Sequence, residues 1–396
     1  MMPRRIAVLF GATASVLMFH RLLLLPPVGM PREASWRGEP AYSSQLLLSG
    51  LGESPTQALD WLPALAILAP GVACCTIFGA LVAWFVALLP GRTLFRAMLA
   101  GLLTLVVSDR IFVGFFMSPS GESAALLGIF ALGVALLNYW SGRSPMWLSL
   151  PVVVLVAGFA IPAKPQMVSW LPAIAFAVFW LPRGTPSRSI CRRWSALVLP
   201  AAALAIIAAF TGTILSERIN PGSNFLFYAS HPASLIGLGE RGISVLLSPE
   251  PGSGAGHVPG FGAPLVEGIG GLSLVFALYT AMKAAPVVLL GFHLLTLLLG
   301  FAVAARTGSA VGRLAVVLVL GCWAQFWVVM MSEGGRGIQH ELIVAGFTSA
   351  LCLPLLLASV SILASKSVRH GGRTYRRAGN HAVSPTSRPF GAGPAS

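Results

Sequence analysis

Long apolar stretches recur along this chain from residue 6 to residue 364, and they constrain its fold more than any other feature. Each approaches the about 20 residues that a helix needs to cross roughly 30 Å of hydrocarbon. Only 10% of the residues are charged, whereas soluble domains contain about 25%. Backbone groups in lipid must be bonded within a helix or a closed barrel, and a barrel strand needs only about 10 residues. We therefore predict an all-α, polytopic transmembrane helix bundle.

The apolar stretches predict about ten spans, which together form one transmembrane domain over residues 1–364. The predicted spans are 6–27, 62–90, 97–116, 123–141, 146–162, 166–182, 196–215, 284–305, 313–331 and 341–364. We expect two long outer loops, at 28–61 and 216–283. Residues 365–396 are basic and end in Ser, Pro and Gly, so they predict a disordered cytoplasmic tail lying against anionic lipid.

Basic residues indicate the orientation of the bundle, because Lys and Arg collect in cytoplasmic loops. Alternation of the predicted spans places 17 of the 26 basic residues on one side and all 12 acidic residues on the other. We therefore predict that both termini are cytoplasmic (N-in/C-in) and that a polar site faces outward. The net charge of +14 is scattered between spans and forms no single stripe, which argues against a nucleic-acid partner.

Motifs of soluble enzymes do not assign a function to this sequence. Its five cysteines are spaced neither as a zinc site nor as a disulfide framework. No P-loop, G-x-S-x-G or H-E-x-x-H pattern occurs. We predict no metal-ligand residues and no cofactor; a divalent metal is compatible with an outer acidic site, but nothing in the sequence indicates one.

Asp109 and Arg110 lie in the outer half of the predicted third span, where each charge costs on the order of 3 kcal/mol on insertion scales. Such residues usually face a cavity or one another. If the segment is a continuous helix, Asp109 shares one face with Phe112 and Phe116, and its carboxylate lies above an apolar wall. Asp109 is therefore a candidate catalytic residue and Arg110 a candidate substrate contact. A structural ion pair between helices is the alternative.

Three further polar residues lie beside predicted spans. Glu122 begins the fourth span, where the helix dipole favours a carboxylate. Lys164 and Gln166 lie in the very short outer turn IPAKPQ, where positive charge does not serve topology. We regard all three as candidate substrate-binding residues, with Lys164 suited to holding a phosphate. The alternatives are helix capping by Glu122 and contact of Lys164 with lipid phosphate.

The first and last outer loops contain the remaining candidates. In MPREASWRGEPAYSSQ, Glu33 and Glu39 alternate with basic and aromatic residues; carboxylates accept hydrogen bonds from sugar hydroxyls, and aromatic rings pack on sugar faces. Both glutamates are candidate catalytic residues, although an interfacial amphipathic segment has the same composition. Arg336 and His340 precede the last predicted span and are candidate substrate contacts. The alternative for His340 is a simple hydrogen bond with Glu341.

Four segments in this order resemble the polytopic hexose transferases of bacterial cell-surface glycan biosynthesis, which are GT-C-like membrane glycosyltransferases. The segments are VSDRIFVGFFMSPSGESAALLG, IPAKPQ before a span, NFLFYASHPASLIGLGERG, and GIQHELIVAGF at the head of the last span. The resemblance covers roughly residues 95–360. The first outer loop differs from the GT-C pattern, since it has no Asp-x-Asp and its two glutamates are six residues apart.

This resemblance implies a polyprenyl-phosphate sugar donor, a glycan or lipid-linked acceptor, and an active site on the outer face of the bacterial plasma membrane. One carboxylate would deprotonate the acceptor hydroxyl while cations hold the departing lipid phosphate. The base would then be Glu33, Glu39 or Asp109. The phosphate contacts that it implies would be Arg110, Lys164, Arg336 or His340.

Two other functions are compatible with the same sequence. A transporter or flippase of a lipid-linked glycan would continue its polar residues through the membrane to the cytoplasmic side. The intramembrane polar residues instead lie mostly at the predicted outer ends, and no inverted repeat is visible. An O-antigen ligase or polymerase would also place Arg and His in a large outer loop, so sequence does not separate it from a hexose transferase.

Overall fold

A computed structural model describes residues 2–24, 63–90, 93–117, 122–180, 286–333 and 343–380. Within these ranges the regular secondary structure is helical, and no β-strand occurs. The predicted all-α class is therefore confirmed for this part of the chain. The predicted seventh span, 196–215, and both long outer loops, 28–61 and 216–283, lie outside the described residues.

The described ranges contain α-helices, short turns and 3-10 segments. The α-helices are α1 (Met2–Leu24), α2 (Pro63–Leu88), α3 (Thr93–Val107), α4 (Arg110–Val113), α5 (Glu122–Ser141), α6 (Met146–Ala160), α7 (Leu171–Phe179), α8 (Pro286–Thr307), α9 (Ala310–Glu333) and α10 (Ile343–Asn380). The 3-10 segments are Gly114–Met117, Ile161–Ala163 and Pro165–Trp170. Gly142 and Gly308, with φ of 64° and 69°, follow α5 and α8 and provide the left-handed residue that commonly ends a helix.

Seven helices in the described part of the chain are long and apolar enough to cross a membrane. They are α1, α2, α5, α6 with its 3-10 extension, α8, α9 and the first part of α10. The predicted third and sixth spans instead contain shorter apolar helices, Thr93–Val107 and Gln166–Phe179. Length and composition thus support a membrane protein whose helices form a bundle.

The last helix differs from the sequence expectation. We predicted disorder from residue 365, but α10 continues from the last apolar stretch into the basic segment and ends at Asn380. No proline occurs between Pro354 and Pro385, so every intervening residue retains the N–H that a helix requires. The predicted tail is therefore described as helix as far as residue 380, and residues 381–396 lie outside the description.

Aromatic side chains from four parts of the chain form the centre of the bundle. Phe78 of α2 stacks on Phe116 and on Phe130 of α5, with ring centroids 5.0 and 5.6 Å apart. Phe347 of α10 meets Phe112 and Phe130 edge-on, at 4.9 and 6.2 Å. Almost all of α5 is buried, which makes it the central helix. Offset and edge-to-face ring pairs of this kind add about 0.5–1.5 kcal/mol each beyond simple burial.

Glycines permit close approach where neighbouring helices pack. A Cβ added to Gly128 of α5 would lie 2.7 Å from both Cα and Cβ of Ala160 in α6. In the α1 and α2 pair, a Cβ on Gly79 would lie 1.8 Å from Oγ of Ser15 and 2.7 Å from the carbonyl oxygen of Gly11. In lipid, where helices gain no hydrophobic energy by association, such small residues allow the van der Waals contact that holds them together.

We expect Gly128→Ala to lower the free energy of unfolding by about 1–3 kcal/mol, because the new methyl group meets the α6 backbone and forces the two helices apart. Denaturant unfolding in detergent measures this change. Gly133→Ala is the matched control on the same helix, since its Cβ would meet only Leu314 at an ordinary 3.7 Å. Equal losses in both variants would contradict the packing assigned to Gly128.

Side-chain bonds show which helix ends lie together. Arg21, near the end of α1, donates to the carbonyl oxygen of Ser108, directly after α3. Lys164, after α6, pairs with Glu122 at the start of α5. A link of four residues joins the 3-10 segment that follows α4 to α5. These groups therefore share one end of the bundle, which we call the carboxylate end because Asp109 and Glu122 lie there.

The opposite end is rich in arginine and tryptophan. Arg143, after α5, donates to the carbonyl oxygen of Ala87 in α2. Trp140 in α5 and Arg313 in α9 both donate to the carbonyl oxygen of Trp180, at 3.1 and 3.0 Å. We call this the arginine end. The positive-inside rule predicts that it faces the cytoplasm.

Candidate functional site

The carboxylate end contains a break in the predicted third span. The helix α3 ends at Val107, Ser108 forms a turn and Asp109 is non-helical before α4 begins. The carbonyl oxygen of Asp109 accepts hydrogen bonds from the N–H groups of Phe112 and Val113, both at 3.0 Å. The side chain of Asp109 is fully buried. Non-helical backbone at membrane depth is tolerated where it is buried in protein or lines a cavity.

This break corrects the expectation of one continuous helix over 97–116. Asp favours helix ends and turns over helix interiors, because its side chain can compete for nearby backbone groups. The hydroxyl of Ser108 makes no hydrogen bond within the described part of the chain. Phe112 and Phe116 therefore belong to two short segments, α4 and the following 3-10 turn, and not to the helix that precedes Asp109. The backbone of Arg110 begins α4. Its side chain lies outside the described part of the structure.

Arg21 is a residue of this site that was not among those selected from the sequence. Its guanidinium donates to the carbonyl oxygen of Ser108, one of the carbonyl groups that the end of α3 leaves without an intrahelical partner. A cation there also interacts favourably with the negative end of the helix dipole. The sequence could have indicated Arg21, because it is a basic residue at the predicted outer end of the first span, where the positive-inside rule does not require one.

Glu122 and Lys164 form a buried ion pair. The Nζ atom of Lys164 lies 2.5 Å from Oε1 of Glu122, and the two side chains are 8% and 2% exposed. Lys164 has extended backbone between two 3-10 segments, and this conformation directs its side chain across to the first residue of α5. The two residues that we selected separately as substrate contacts thus contact each other, and the pair fixes the 161–170 turn against the central helix.

Gln166 lies close to this pair along the chain and is also buried. Its backbone carbonyl oxygen accepts a hydrogen bond from Oγ of Ser169 at 2.7 Å. The 3-10 segment ends at Trp170, whose Nε1 donates to Oε1 of Gln325 in α9 at 3.0 Å. Gly321 leaves room for the indole, because a Cβ at that position would lie 2.2 Å from the ring. The segment after Lys164 is therefore anchored to α9 as well as to α5.

We expect Trp170→Phe to lower the free energy of unfolding by about 1–3 kcal/mol, because it leaves the buried Oε1 of Gln325 without its donor. The double variant Trp170→Phe with Gln325→Leu should recover most of that loss, since it removes both polar partners. Denaturant unfolding of the two single variants and the double variant measures the coupling. If the double variant lost as much stability as the two single variants together, the hydrogen bond between Trp170 and Gln325 would contribute nothing to the free energy of unfolding.

Polar groups also lie deeper between the last three helices. Nε2 of His293 in α8 lies 2.8 Å from Oγ of Ser349 in α10. Both side chains are buried, and Trp323 of α9 meets the imidazole edge-on with centroids 5.6 Å apart. Neither residue was selected from the sequence, because each lies inside a long apolar stretch that indicates only a span. Hydrogen bonds between helices in lipid contribute about 0.6–2 kcal/mol each.

Four predicted site residues lie outside the described part of the chain. They are Glu33, Glu39, Arg336 and His340. Among the residues whose side chains are described, Asp109 and Glu122 are the carboxylates, and both lie at the carboxylate end. Within the same residues, no group of three or more His, Cys, Asp or Glu side chains is arranged to hold a metal ion.

Comparison with protein-family models, with curated proteins and with solved structures finds no match to this chain. The expectation of a hexose transferase therefore rests on the four short segments named above. The structure adds two features at the carboxylate end: a buried carboxylate at a break in a span, and a rigid turn held by an ion pair. A functional proposal has to account for both.

Proposed function

We propose that the chain is a GT-C-like glycosyltransferase of the bacterial plasma membrane, with about ten spans and both termini in the cytoplasm. It moves a hexose from a polyprenyl-phosphate donor to a cell-surface glycan or lipid-linked acceptor on the extracytoplasmic face. The observation that carries the proposal is the break in the third span at Asp109, which holds a buried carboxylate at the predicted outer end of the bundle. An ionisable residue inside the membrane is by default a functional-site hypothesis, because its insertion is costly.

In this proposal Asp109 is the general base. Its carboxylate removes the proton from an acceptor hydroxyl as the hydroxyl oxygen attacks the anomeric carbon of the hexose. The new glycosidic bond forms on one face of the sugar while the bond between the anomeric carbon and the phosphate oxygen breaks on the other. Polyprenyl phosphate departs with the bonding electrons, and the configuration at the anomeric carbon is inverted.

Cations hold the departing phosphate, because developing negative charge is stabilised best by preoriented donors in a site that excludes water. Arg110, Arg336 and His340 are the residues proposed for this role. Because Lys164 pairs with Glu122, we assign these two residues a structural role in place of phosphate binding. They keep the 161–170 turn rigid beside the site, as a catalytic constellation needs support from its surroundings.

Transport of a lipid-linked glycan is the second candidate, and one observation favours it. His293, Ser349 and Gln325 are buried polar residues between helices, below the carboxylate end. Polar groups continuing toward the arginine end are what a transport path requires. The transferase is preferred because the described carboxylates, Asp109 and Glu122, lie together at one end and not along a path through the membrane.

The test is transfer of radiolabelled sugar from polyprenyl-phosphate hexose in membranes that contain the wild type, Glu33→Gln, Glu39→Gln or Asp109→Asn. Transfer by the wild type with loss in Asp109→Asn, at normal expression, supports the proposal. Loss in a glutamate variant with full activity of Asp109→Asn would assign the base to the first outer loop. No transfer by the wild type from any tested donor would favour transport.

A further inference from the structure

The helix α10 continues well beyond the part of it that is apolar enough to span a membrane. Its candidate span is Val344–Ser365, whereas the helix ends at Asn380. At 1.5 Å per residue the span is about 33 Å long, which is enough to cross roughly 30 Å of hydrocarbon. The remaining segment, 366–380, therefore begins at the membrane surface and adds about 22 Å of helix. We call this segment the α10 extension.

The helical register of the α10 extension places its basic residues on one face. With about 100° between successive residues, they fall within an arc of about 120°. We call this set the basic stripe, and it consists of Lys366, Arg369, His370, Arg373, Arg376 and Arg377. A disordered tail has no faces, so the stripe is a property that the helix adds to the basic sequence.

Membrane topology alone does not require such a stripe. The positive-inside rule needs Lys and Arg close to the end of a span but sets no angular position for them. Residues 365–396 contain no Asp or Glu, so no carboxylate in this segment can neutralise the stripe from a neighbouring turn of the helix. A one-sided positive surface that begins at headgroup level matches anionic lipids, which attract basic residues that flank a span.

A straight extension would hold only part of the basic stripe against lipid. Arg377 lies about 16 Å beyond Lys366 along the helix axis, whereas the headgroup layer is about 5–8 Å thick on each side of the membrane. Gly371 and Gly372 separate the two halves of the stripe. Glycine is the residue that least restricts the backbone and that weakens a helix interior, so a bend costs least at this pair.

We propose that the α10 extension bends at Gly371–Gly372 and lies on the membrane surface at which the α10 span ends, where the basic stripe binds the phosphates of anionic lipids. Electrostatic contact predominates, because Val368 and Tyr375 are the only large apolar residues of the extension and provide little surface for insertion. The proposal does not involve Asp109, so it stands or fails independently of the proposed transferase activity.

The test measures how close residue 380 comes to lipid headgroups in the full-length protein reconstituted in nanodiscs. A fluorophore is attached to Asn380→Cys in a Cys191→Ser background, because the other four cysteines are buried. A fixed amount of phosphatidylcholine with a nitroxide headgroup quenches it. Position 380 shares the face of the basic stripe, and on a straight extension it lies about 22 Å beyond the span.

The wild type should be quenched strongly in nanodiscs rich in phosphatidylglycerol and weakly in nanodiscs of phosphatidylcholine alone. High salt should remove the difference, since the Debye length falls to about 3 Å at 1 M. Arg373→Gln should lower the ratio of docked to projecting extension about fivefold, which corresponds to about 1 kcal/mol. Gly371→Ala with Gly372→Ala should also lower this ratio, because alanine favours the straight helix.

The matched control keeps the composition and the net charge but moves two arginines off the stripe. It combines Arg373→Thr, Thr374→Arg, Tyr375→Arg and Arg376→Tyr, and it should lower the docked ratio about 25-fold. Docking of this control at the wild-type level would overturn the stripe in favour of net charge alone. Wild-type docking of the double glycine variant would overturn the bend at Gly371–Gly372.

Quenching that does not change with phosphatidylglycerol would overturn the lipid assignment. The same labelled protein then shows whether another anionic partner uses the stripe, because addition of RNA or of an acidic protein would slow the rotation of the fluorophore. Slower rotation with either partner, in the absence of any response to phosphatidylglycerol, would assign the basic stripe to that partner and contradict the proposal.

Discussion

Asp109→Asn is expected to lower hexose transfer by about 100- to 10,000-fold, the range that general-base catalysis contributes in enzymes. The amide keeps the size of the side chain but cannot accept a proton from the acceptor hydroxyl. Because Asp109 is buried where α3 ends, its replacement changes few surface contacts. The measurement is the initial rate of radiolabelled sugar transfer, at saturating donor, normalised to the amount of folded protein.

Ser108→Ala is the neighbouring control for this prediction. Ser108 shares the turn and is fully buried, but its hydroxyl is not a proton acceptor in the proposed chemistry. It should keep transfer within about tenfold of the wild type, whereas loss of a general base costs at least about 100-fold. A wild-type rate for Asp109→Asn would exclude Asp109 as the base, and equal losses in the two variants would indicate a purely structural turn.

Lys164→Met is expected to lower the free energy of unfolding by about 3–5 kcal/mol, because it leaves the Glu122 carboxylate buried without its counter-charge. Glu122 is the first residue of the central helix, so the change disturbs the part of the bundle on which α2, α6 and α9 pack. A loss of that size is a large fraction of the about 5–15 kcal/mol that stabilises a typical domain. Denaturant unfolding in detergent measures it.

The double variant Glu122→Gln with Lys164→Met tests whether the ion pair itself is responsible. Apolar or neutral replacements of both partners of a buried pair are often close to neutral, so the double variant should be more stable than Lys164→Met alone. Arg4→Met, at an exposed position of α1, controls for loss of a positive charge and should change stability by less than about 0.5 kcal/mol. Equal instability of the single and double variants would contradict this account.

The sequence predicted the helices well where a span is uniformly apolar. The predicted span 123–141 corresponds to α5, from Glu122 to Ser141, and 284–305 corresponds closely to α8. Hydropathy is sufficient to predict the helix bounds in these segments, because no side chain there competes with the helical hydrogen bonds. The predicted third span was wrong in its second half, since Ser108 and Asp109 end α3 at Val107, and the cost of breaking a helix in lipid made continuity the natural expectation.

Side-chain partners were harder to predict than helices. Glu122 and Lys164 were selected as polar residues at span ends, but their pairing across 42 positions depends on how α5 and α6 pack. The bond from Arg21 to Ser108 joins residues 87 positions apart and depends on the same kind of contact between α1 and α3. A single sequence does not encode such distances in any local pattern, so it indicated which residues were unusual without indicating their neighbours.

The most direct test of the proposed function uses purified wild-type protein in liposomes that contain radiolabelled polyprenyl-phosphate hexose and a lipid-linked acceptor. The proposal predicts that label appears covalently on the acceptor, that polyprenyl phosphate is released in equal amount, and that Asp109→Asn lowers both by at least about 100-fold. Label that remains on the donor but moves between leaflets would contradict a transferase and identify a transporter of lipid-linked sugars.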